Sequence, residues 1–152
     1  MKKLTLLLMS FLFSMILVIS CTQAQALGTV GKLFTKDQAN QLFGPVVSSQ
    51  TISAAALRAL AERSPNYIMF NLLNGRLVVL NANRKVLSGP ASMTAVSPTQ
   101  VFHFCSASKI LELLQTSGAT SVKVEQRQNN LTITADSQTL EDFMTCPPTC
   151  AQ

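Results

Sequence analysis

The chain has 152 residues, with 12 Lys and Arg residues against seven Asp and Glu residues and a formal net charge of +5. Beyond residue 20 the ten basic residues are scattered, and only Arg84 and Lys85 among them are adjacent, with no aromatic residues interleaved. Because a nucleic-acid interface concentrates basic residues on one face or stripe, this pattern argues against a nucleic-acid partner. The length suffices for one domain with a substantial core and is short for two.

The first 20 residues have the pattern of an export signal. Lys2 and Lys3 precede an apolar run over residues 4–20, as the charged and hydrophobic regions of a signal peptide do. The run is slightly short for a membrane span, and an uncleaved anchor is the competing interpretation. Removal of residues 1–20 takes away Lys2 and Lys3 and leaves ten basic and seven acidic residues, a net charge of +3.

Two processing signals follow this segment. Val18-Ile19-Ser20-Cys21 resembles the bacterial lipobox, in which the cysteine is lipidated and becomes the new N-terminus. The resemblance implies a membrane anchor through Cys21 in the cell envelope, at the outer membrane in a Gram-negative cell. Ala24-Gln25-Ala26 matches an ordinary A-x-A site, and cleavage after Ala26 would release a periplasmic or secreted protein. We expect the anchored form, with residues 21–34 as a tether and residues 35–152 as a single domain.

The domain opens with two predicted helices. Thr35 and Gln38 form a capping box for a short helix that directs Ala39, Leu42 and Phe43 inward and ends at Gly44. Ser53 caps a second helix, whose apolar face consists of Leu57, Leu60 and Ala61.

A strong hairpin signal comes next. Two nearly continuous apolar runs flank Asn74-Gly75, a pair that tolerates the positive φ angles of a type I′ turn. Because the runs lack polar alternation, we expect both faces of this hairpin to be covered. A short third strand at Val86-Leu87 and a loop over residues 89–98 follow.

The second half begins with a strand over residues 99–105 and a helix that is capped by Ser106 or Ser108 and closed by Gly118. A second hairpin over residues 121–137 alternates apolar and polar residues, which predicts one buried face and one solvated face. A helical turn is expected over residues 139–144. We detect no internal repeat, and the pattern predicts an α+β fold in which helices pack on a mainly antiparallel sheet of about five strands.

No catalytic constellation stands out. The chain has no phosphate-binding glycine loop, no G-x-S-x-G and no H-E-x-x-H pattern. The acidic residues lie far apart, except Glu141 and Asp142, which as helix neighbours would not face each other. We therefore assign no catalytic residue and favour a protein that is not an enzyme.

Three cysteines lie beyond the tether, namely Cys105, Cys146 and Cys150. Export implies an oxidising compartment in which disulfides persist. An extended polyproline stretch would separate Cys146 and Cys150 by about 12 Å, whereas a disulfide needs Cα atoms roughly 4.4–6.8 Å apart. A local bridge therefore requires a turn over Pro148-Thr149. A bridge from Cys105 to one of the pair needs no turn and would tie the tail to the sheet, so it is slightly favoured.

A metal site is a more specific alternative to a structural disulfide. In an extended strand His103 and Cys105 point to one face, and Cys146 and Cys150 could complete a set that suits zinc or copper(I). "CPPTC" also resembles the C-P-x-x-C motif of the Sco-type copper chaperones, which implies copper binding. In that family the motif lies early in the domain and the histidine downstream, whereas this chain ends with the motif and has His103 upstream.

These patterns together predict an exported, lipid-anchored envelope protein that acts as a non-enzymatic binding module without a cofactor. Its partners would be the membrane, through the lipid, and an unidentified protein or small molecule. The first alternative is a copper- or zinc-binding protein. The second is a thiol–disulfide oxidoreductase, which is disfavoured because no helix follows Cys150 to lower a thiol pKa.

Overall fold

The computed structural model of the protein describes residues 28–128, 130–141 and 143–150. The predicted export segment, Cys21 and the predicted A-x-A cleavage site lie outside the described residues. These described residues contain three helices: α1 (Lys36–Phe43), α2 (Ala54–Glu62) and α3 (Ala107–Ser117). They also contain ten strands: β1 (Lys32–Thr35), β2 (Val46–Ser53), β3 (Tyr67–Leu73), β4 (Arg76–Asn81), β5 (Val86–Ser88), β6 (Phe102–Ser106), β7 (Ser121–Arg127), β8 (Leu131–Ala135), β9 (Gln138–Glu141) and β10 (Met144–Cys146). Over these ranges no helix combines the length and the apolar character needed to cross a membrane.

The strands form two antiparallel sheets of five. Sheet A has the order β1-β9-β8-β7-β2, and sheet B has the order β10-β6-β3-β4-β5. Every strand pair is antiparallel. The predicted α+β class with antiparallel pairing is confirmed, and the strands divide between two sheets where one was expected.

The fold contains a repeated unit, which no pattern in the sequence had indicated. β2-α2-β3-β4-β5 and β6-α3-β7-β8-β9 have the same order of strand, helix and three strands. In each unit the last three strands pair consecutively, but the first strand pairs with the other unit, β2 with β7 and β6 with β3. The two units therefore exchange their first strands. β1 then adds to β9, and β10 adds to β6.

The main core joins the inner faces of both sheets to α2 and α3. It contains Leu60 of α2, Leu113 of α3, Ile133 of sheet A and Phe70 of sheet B. Full burial of a large apolar side chain contributes roughly 1.5–3 kcal/mol. The predicted inner face of α2 is confirmed, because Leu57, Leu60 and Ala61 are its buried residues.

The β3–β4 hairpin is confirmed as well. Asn74 and Gly75 have φ angles of 51° and 73°, as a type I′ turn requires. Phe70 faces the main core, whereas Met69 belongs to a second cluster on the outer face of sheet B. Met93, in the loop over residues 89–101, packs against that second cluster. Both faces of the hairpin are therefore covered, as the apolar runs predict.

Helix α1 begins at the predicted capping box. The Gln38 amide donates to Thr35 Oγ1 at 3.2 Å, and the Thr35 amide donates to Gln38 Oε1 at 3.0 Å. Phe43 packs edge-to-face on Phe34 with ring centroids 5.3 Å apart. The inward direction predicted for Leu42 is wrong, because α1 contacts the outer face of sheet A through Phe43, and Leu42 is left 65% exposed.

Three further expectations are corrected. Residues 139–141 belong to β9 and not to the helical turn expected over residues 139–144, because Leu140 pairs with Ile133 in sheet A and is fully buried. The expected tether ends early, since the Val30 amide donates to Ser106 Oγ at 2.8 Å and β1 already begins at Lys32. The face of the second hairpin expected to be solvated is partly covered, and Thr132 is 0% exposed.

Candidate functional site

The predicted cluster of His103 with three cysteines does not assemble. Cys105 lies in the main core, whereas Cys146 belongs to the second cluster on the outer face of sheet B. Cys146 stands opposite Phe102 in the β10–β6 register, and Thr145 stands opposite His103. Because successive residues of a strand alternate between faces, the sheet itself separates Cys146 from Cys105. Within the described part of the chain, no three His, Cys, Asp or Glu side chains are grouped to hold a metal ion.

The disulfide joins Cys146 to Cys150, with Cα atoms 4.6 Å apart, and Cys105 is a free thiol. The favoured long bridge from Cys105 is therefore wrong. The tail makes the turn that a local bridge requires, which is closed by the Thr149 amide donating to the Thr145 carbonyl at 3.2 Å. The two prolyl peptide bonds between the bridged cysteines are cis.

The remaining groups of this region are unsuited to thiol chemistry. Burial raises the pKa of the Cys105 thiol, so it stays protonated and is a poor nucleophile. Desolvation lowers the pKa of His103, which is half-buried and stands opposite Phe70 in the β3–β6 register. Arg84 Nη1 donates to the Cys146 carbonyl and to its Sγ, each at 3.2 Å. These contacts hold the C-terminal tail against sheet B.

Strand β2 is the most open element of the fold. It forms one edge of sheet A, and seven of its eight residues are exposed. Its sequence, VVSSQTIS, contains neither a charged residue nor proline. The other edge strands, β1, β5 and β10, have only four, three and three residues. Sheet edges are commonly protected by shortness, charge or proline, so β2 lacks three common protections.

Hydrogen bonding to β7 determines which backbone groups of β2 are free for a partner. The Ala54 amide donates to the Thr120 carbonyl at 2.9 Å, and Ser53 stands opposite Ser121. Antiparallel strands alternate between bonded and non-bonded pairs. The backbone N–H and C=O groups of Gln50 and Ile52 therefore point toward β7. Those of Ser49, Thr51 and Ser53 point away from β7, toward the free side of the strand.

The repeat shows what this edge lacks. β6 and β2 are the equivalent first strands of the two units, and each pairs with the other unit on one side. On its second side β6 is covered by β10. No strand covers the second side of β2 among the described residues. Within the described ranges, sheet A therefore has no strand at the position that β10 occupies in sheet B.

A buried ion pair fixes the chain just before this edge. Arg127 is 1% exposed and donates through Nη2 to Glu125 Oε2 at 3.2 Å and through Nε to Thr132 Oγ1 at 3.2 Å. Its Nη1 donates to Asn40 Oδ1 at 3.1 Å and to the Gly44 carbonyl. The guanidinium thus joins sheet A to the end of α1 and to the turn that leads into β2. We infer that it positions the first residues of the open edge.

Apolar side chains flank the start of β2. Leu42, Val46 and Val47 are 65%, 42% and 70% exposed. The register of β2 on β7 shifts between Val46 and Ser48, which places Val47 in a β-bulge. A cluster of exposed apolar residues beside a free edge is typical of a protein-contact surface.

This edge was missed in the sequence because VVSSQTIS has no clear alternation of apolar and polar residues, and the Gly44-Pro45 signal before it was interpreted only as the end of the first helix.

No family model matches the chain, and no curated protein and no solved structure matches it.

Proposed function

We propose that this protein is an exported envelope module, lipid-anchored through Cys21, that binds an extended segment of a partner protein along β2. One observation carries the proposal: a long, uncharged edge strand stands open where the equivalent strand of the repeat is covered by β10. A strand added there would hydrogen-bond to the backbone of Ser49, Thr51 and Ser53, which is the mode called β-strand addition.

The partner segment has a definable chemistry. Both faces of β2 carry small polar residues, so a charged partner strand would find no opposite charge within β2. An apolar residue near one end of the segment would bury Val47 and Leu42, which are otherwise open to water. We therefore expect an uncharged segment, rich in Thr, Val or Ser, that carries one large apolar residue.

Site-specific crosslinking tests the proposal. A photo-reactive amino acid is placed at Gln50 in the envelope-anchored protein, and the same group at the exposed Gln115 of α3 serves as a control. Thr51→Pro removes one outward amide and leaves the amides that bond β7 in place. Thr51→Val keeps that amide and is the matched control.

We expect adducts of discrete mass at Gln50 that disappear in Thr51→Pro and persist in Thr51→Val. Equal adducts in both variants, or the same adducts at Gln115, would contradict strand addition. Intact mass of the protein from its native envelope tests the anchor separately. A diacylglycerol adduct on an N-terminal Cys21 supports anchoring, and a chain that begins at Leu27 excludes it.

A further inference from the structure

A polar cavity of about 530 Å³ lies at one end of sheet A, beside the start of α1. This volume is within the range of small-ligand sites. The cavity lining is mostly polar or charged, and its groups are Lys36, the turn over 117–121, Lys123, Glu125, Thr134 and Asp136.

The carboxylate of Glu125 lines this cavity and accepts hydrogen bonds through only one of its two oxygens. It is 6% exposed, yet all three hydrogen bonds that it accepts go to Oε2. The donors are Arg127 at 3.2 Å, Thr132 at 3.3 Å and Thr134 at 2.8 Å. Within the described ranges no donor reaches Oε1 and no fully buried side-chain oxygen lacks a partner. Oε1 is therefore accessible from the cavity that Glu125 lines.

The second carboxylate at the cavity is that of Asp136. It follows β8 and has a φ angle of 54°, in the left-handed region. Together Glu125 Oε1 and Asp136 offer acceptors to a donor such as an ammonium group.

Two cations line the same cavity. Lys123 lies two residues before Glu125 on β7, and therefore on the same face of the strand, while Lys36 opens α1. Arg127 neutralises the charge of Glu125, so the two lysines exceed the remaining carboxylate by one charge. The lining thus presents acceptors and cations together, with no aromatic surface.

We propose that this cavity binds a small zwitterion, a molecule with one carboxylate and one ammonium group such as an amino acid or a short peptide. The carboxylate lies against Lys123 and Lys36. The ammonium donates to Glu125 Oε1 and to Asp136. The site does not depend on a partner strand at β2, so either proposal can fail without the other.

The test uses trialanine and L-alanine as probes, with amide NMR shifts and calorimetry on the protein. Acetylated trialanine lacks the ammonium, and trialanine amide lacks the carboxylate. We expect saturable binding of at least one zwitterion, with shifts centred on Gly118 and Lys123, and at least tenfold weaker binding of both blocked peptides. Absence of saturable shifts at the cavity for both zwitterions overturns the proposal, and so does equal binding of a blocked peptide.

Substitutions test which residues bind the carboxylate and which bind the ammonium group of the zwitterion. Lys123→Gln is expected to weaken zwitterion binding about tenfold, whereas Lys85→Gln, outside the cavity, leaves it unchanged. Glu125→Gln is expected to remove the preference for a free ammonium. Because Glu125→Gln disturbs a buried network and could unfold the domain, Asp136→Asn serves as the second variant, and asparagine tolerates the left-handed backbone at this position. Unchanged affinity in Lys123→Gln, or unchanged ammonium preference in Asp136→Asn, overturns the assignment.

Discussion

Replacing Arg127 with methionine should destabilise the domain more than any surface substitution. Arg127→Met removes the cation from a pair whose side chains are 1% and 8% exposed and leaves Glu125 with only hydroxyl partners. It also removes the donors to Asn40 and to the Gly44 carbonyl. Breaking a buried ion pair from one side costs about 3–5 kcal/mol. Domains of this size have total stabilities of roughly 5–15 kcal/mol, so the loss is a large fraction.

Urea unfolding measures this effect. With an m value of about 2 kcal/mol per molar, a loss of 4 kcal/mol lowers the midpoint by roughly 2 M. Exposed Arg76→Met is the control, with an expected change within about 0.5 kcal/mol.

A double variant identifies the cause. Glu125→Leu with Arg127→Met removes both charges, and buried pairs replaced by apolar residues are often neutral in stability. We expect the double variant to be at least about 1 kcal/mol more stable than the summed stability losses of Glu125→Leu and Arg127→Met predict. A loss below about 1 kcal/mol in Arg127→Met, or strict additivity in the double variant, would refute the reasoning.

Three other predictions concern single positions. Desolvation lowers the pKa of His103 in the folded state, so the unfolded chain binds more protons as the pH falls through 6.5. The free energy of unfolding should therefore decrease from pH 7.5 to pH 5, and this decrease should be smaller in His103→Gln. Gly31→Ala should cost about 1–3 kcal/mol in thermal or urea unfolding, because φ is 107° and the new Cβ would lie 3.1 Å from a buried leucine methyl; no loss would contradict this geometry. Alkylation followed by peptide mapping should label Cys105 only after unfolding, and Cys146 and Cys150 only after reduction; native labelling of Cys105 would show that it is accessible.

Local signals in the sequence predicted the elements that short-range chemistry determines. The capping box at Thr35 and the turn at Asn74-Gly75 depend on neighbouring residues alone, and both are present in the structure. Strands β1, β2, β9 and β10 were missed because their stability comes from distant partners, such as Leu33 and Ile133, which both stand opposite Leu140. A period of two shows that side chains alternate, but it does not show what covers each face.

The same limit applies to the sites. Alternation on β6 correctly placed His103 and Cys105 on one face, since they stand opposite Phe70 and Ile68, which both belong to the main core. It could not show that β10 would place Cys146 on the far face, because strand order depends on the whole topology. The Glu125–Arg127 pair was hidden for a related reason, since its i, i+2 spacing is common on solvated strands.

The exchange of first strands between the two units has a consequence for how the chain reaches its native state. The first half, up to the loop over residues 89–101, contains β2 but not β7, and β3 but not β6. Neither half can complete its sheet alone, so the architecture corresponds to an intertwined dimer of two small units joined into one chain. Such long-range pairing slows folding, because loop closure comes before the contacts that stabilise it. A chain of this design therefore lacks its native β2–β7 and β3–β6 pairings until its second half has been synthesised.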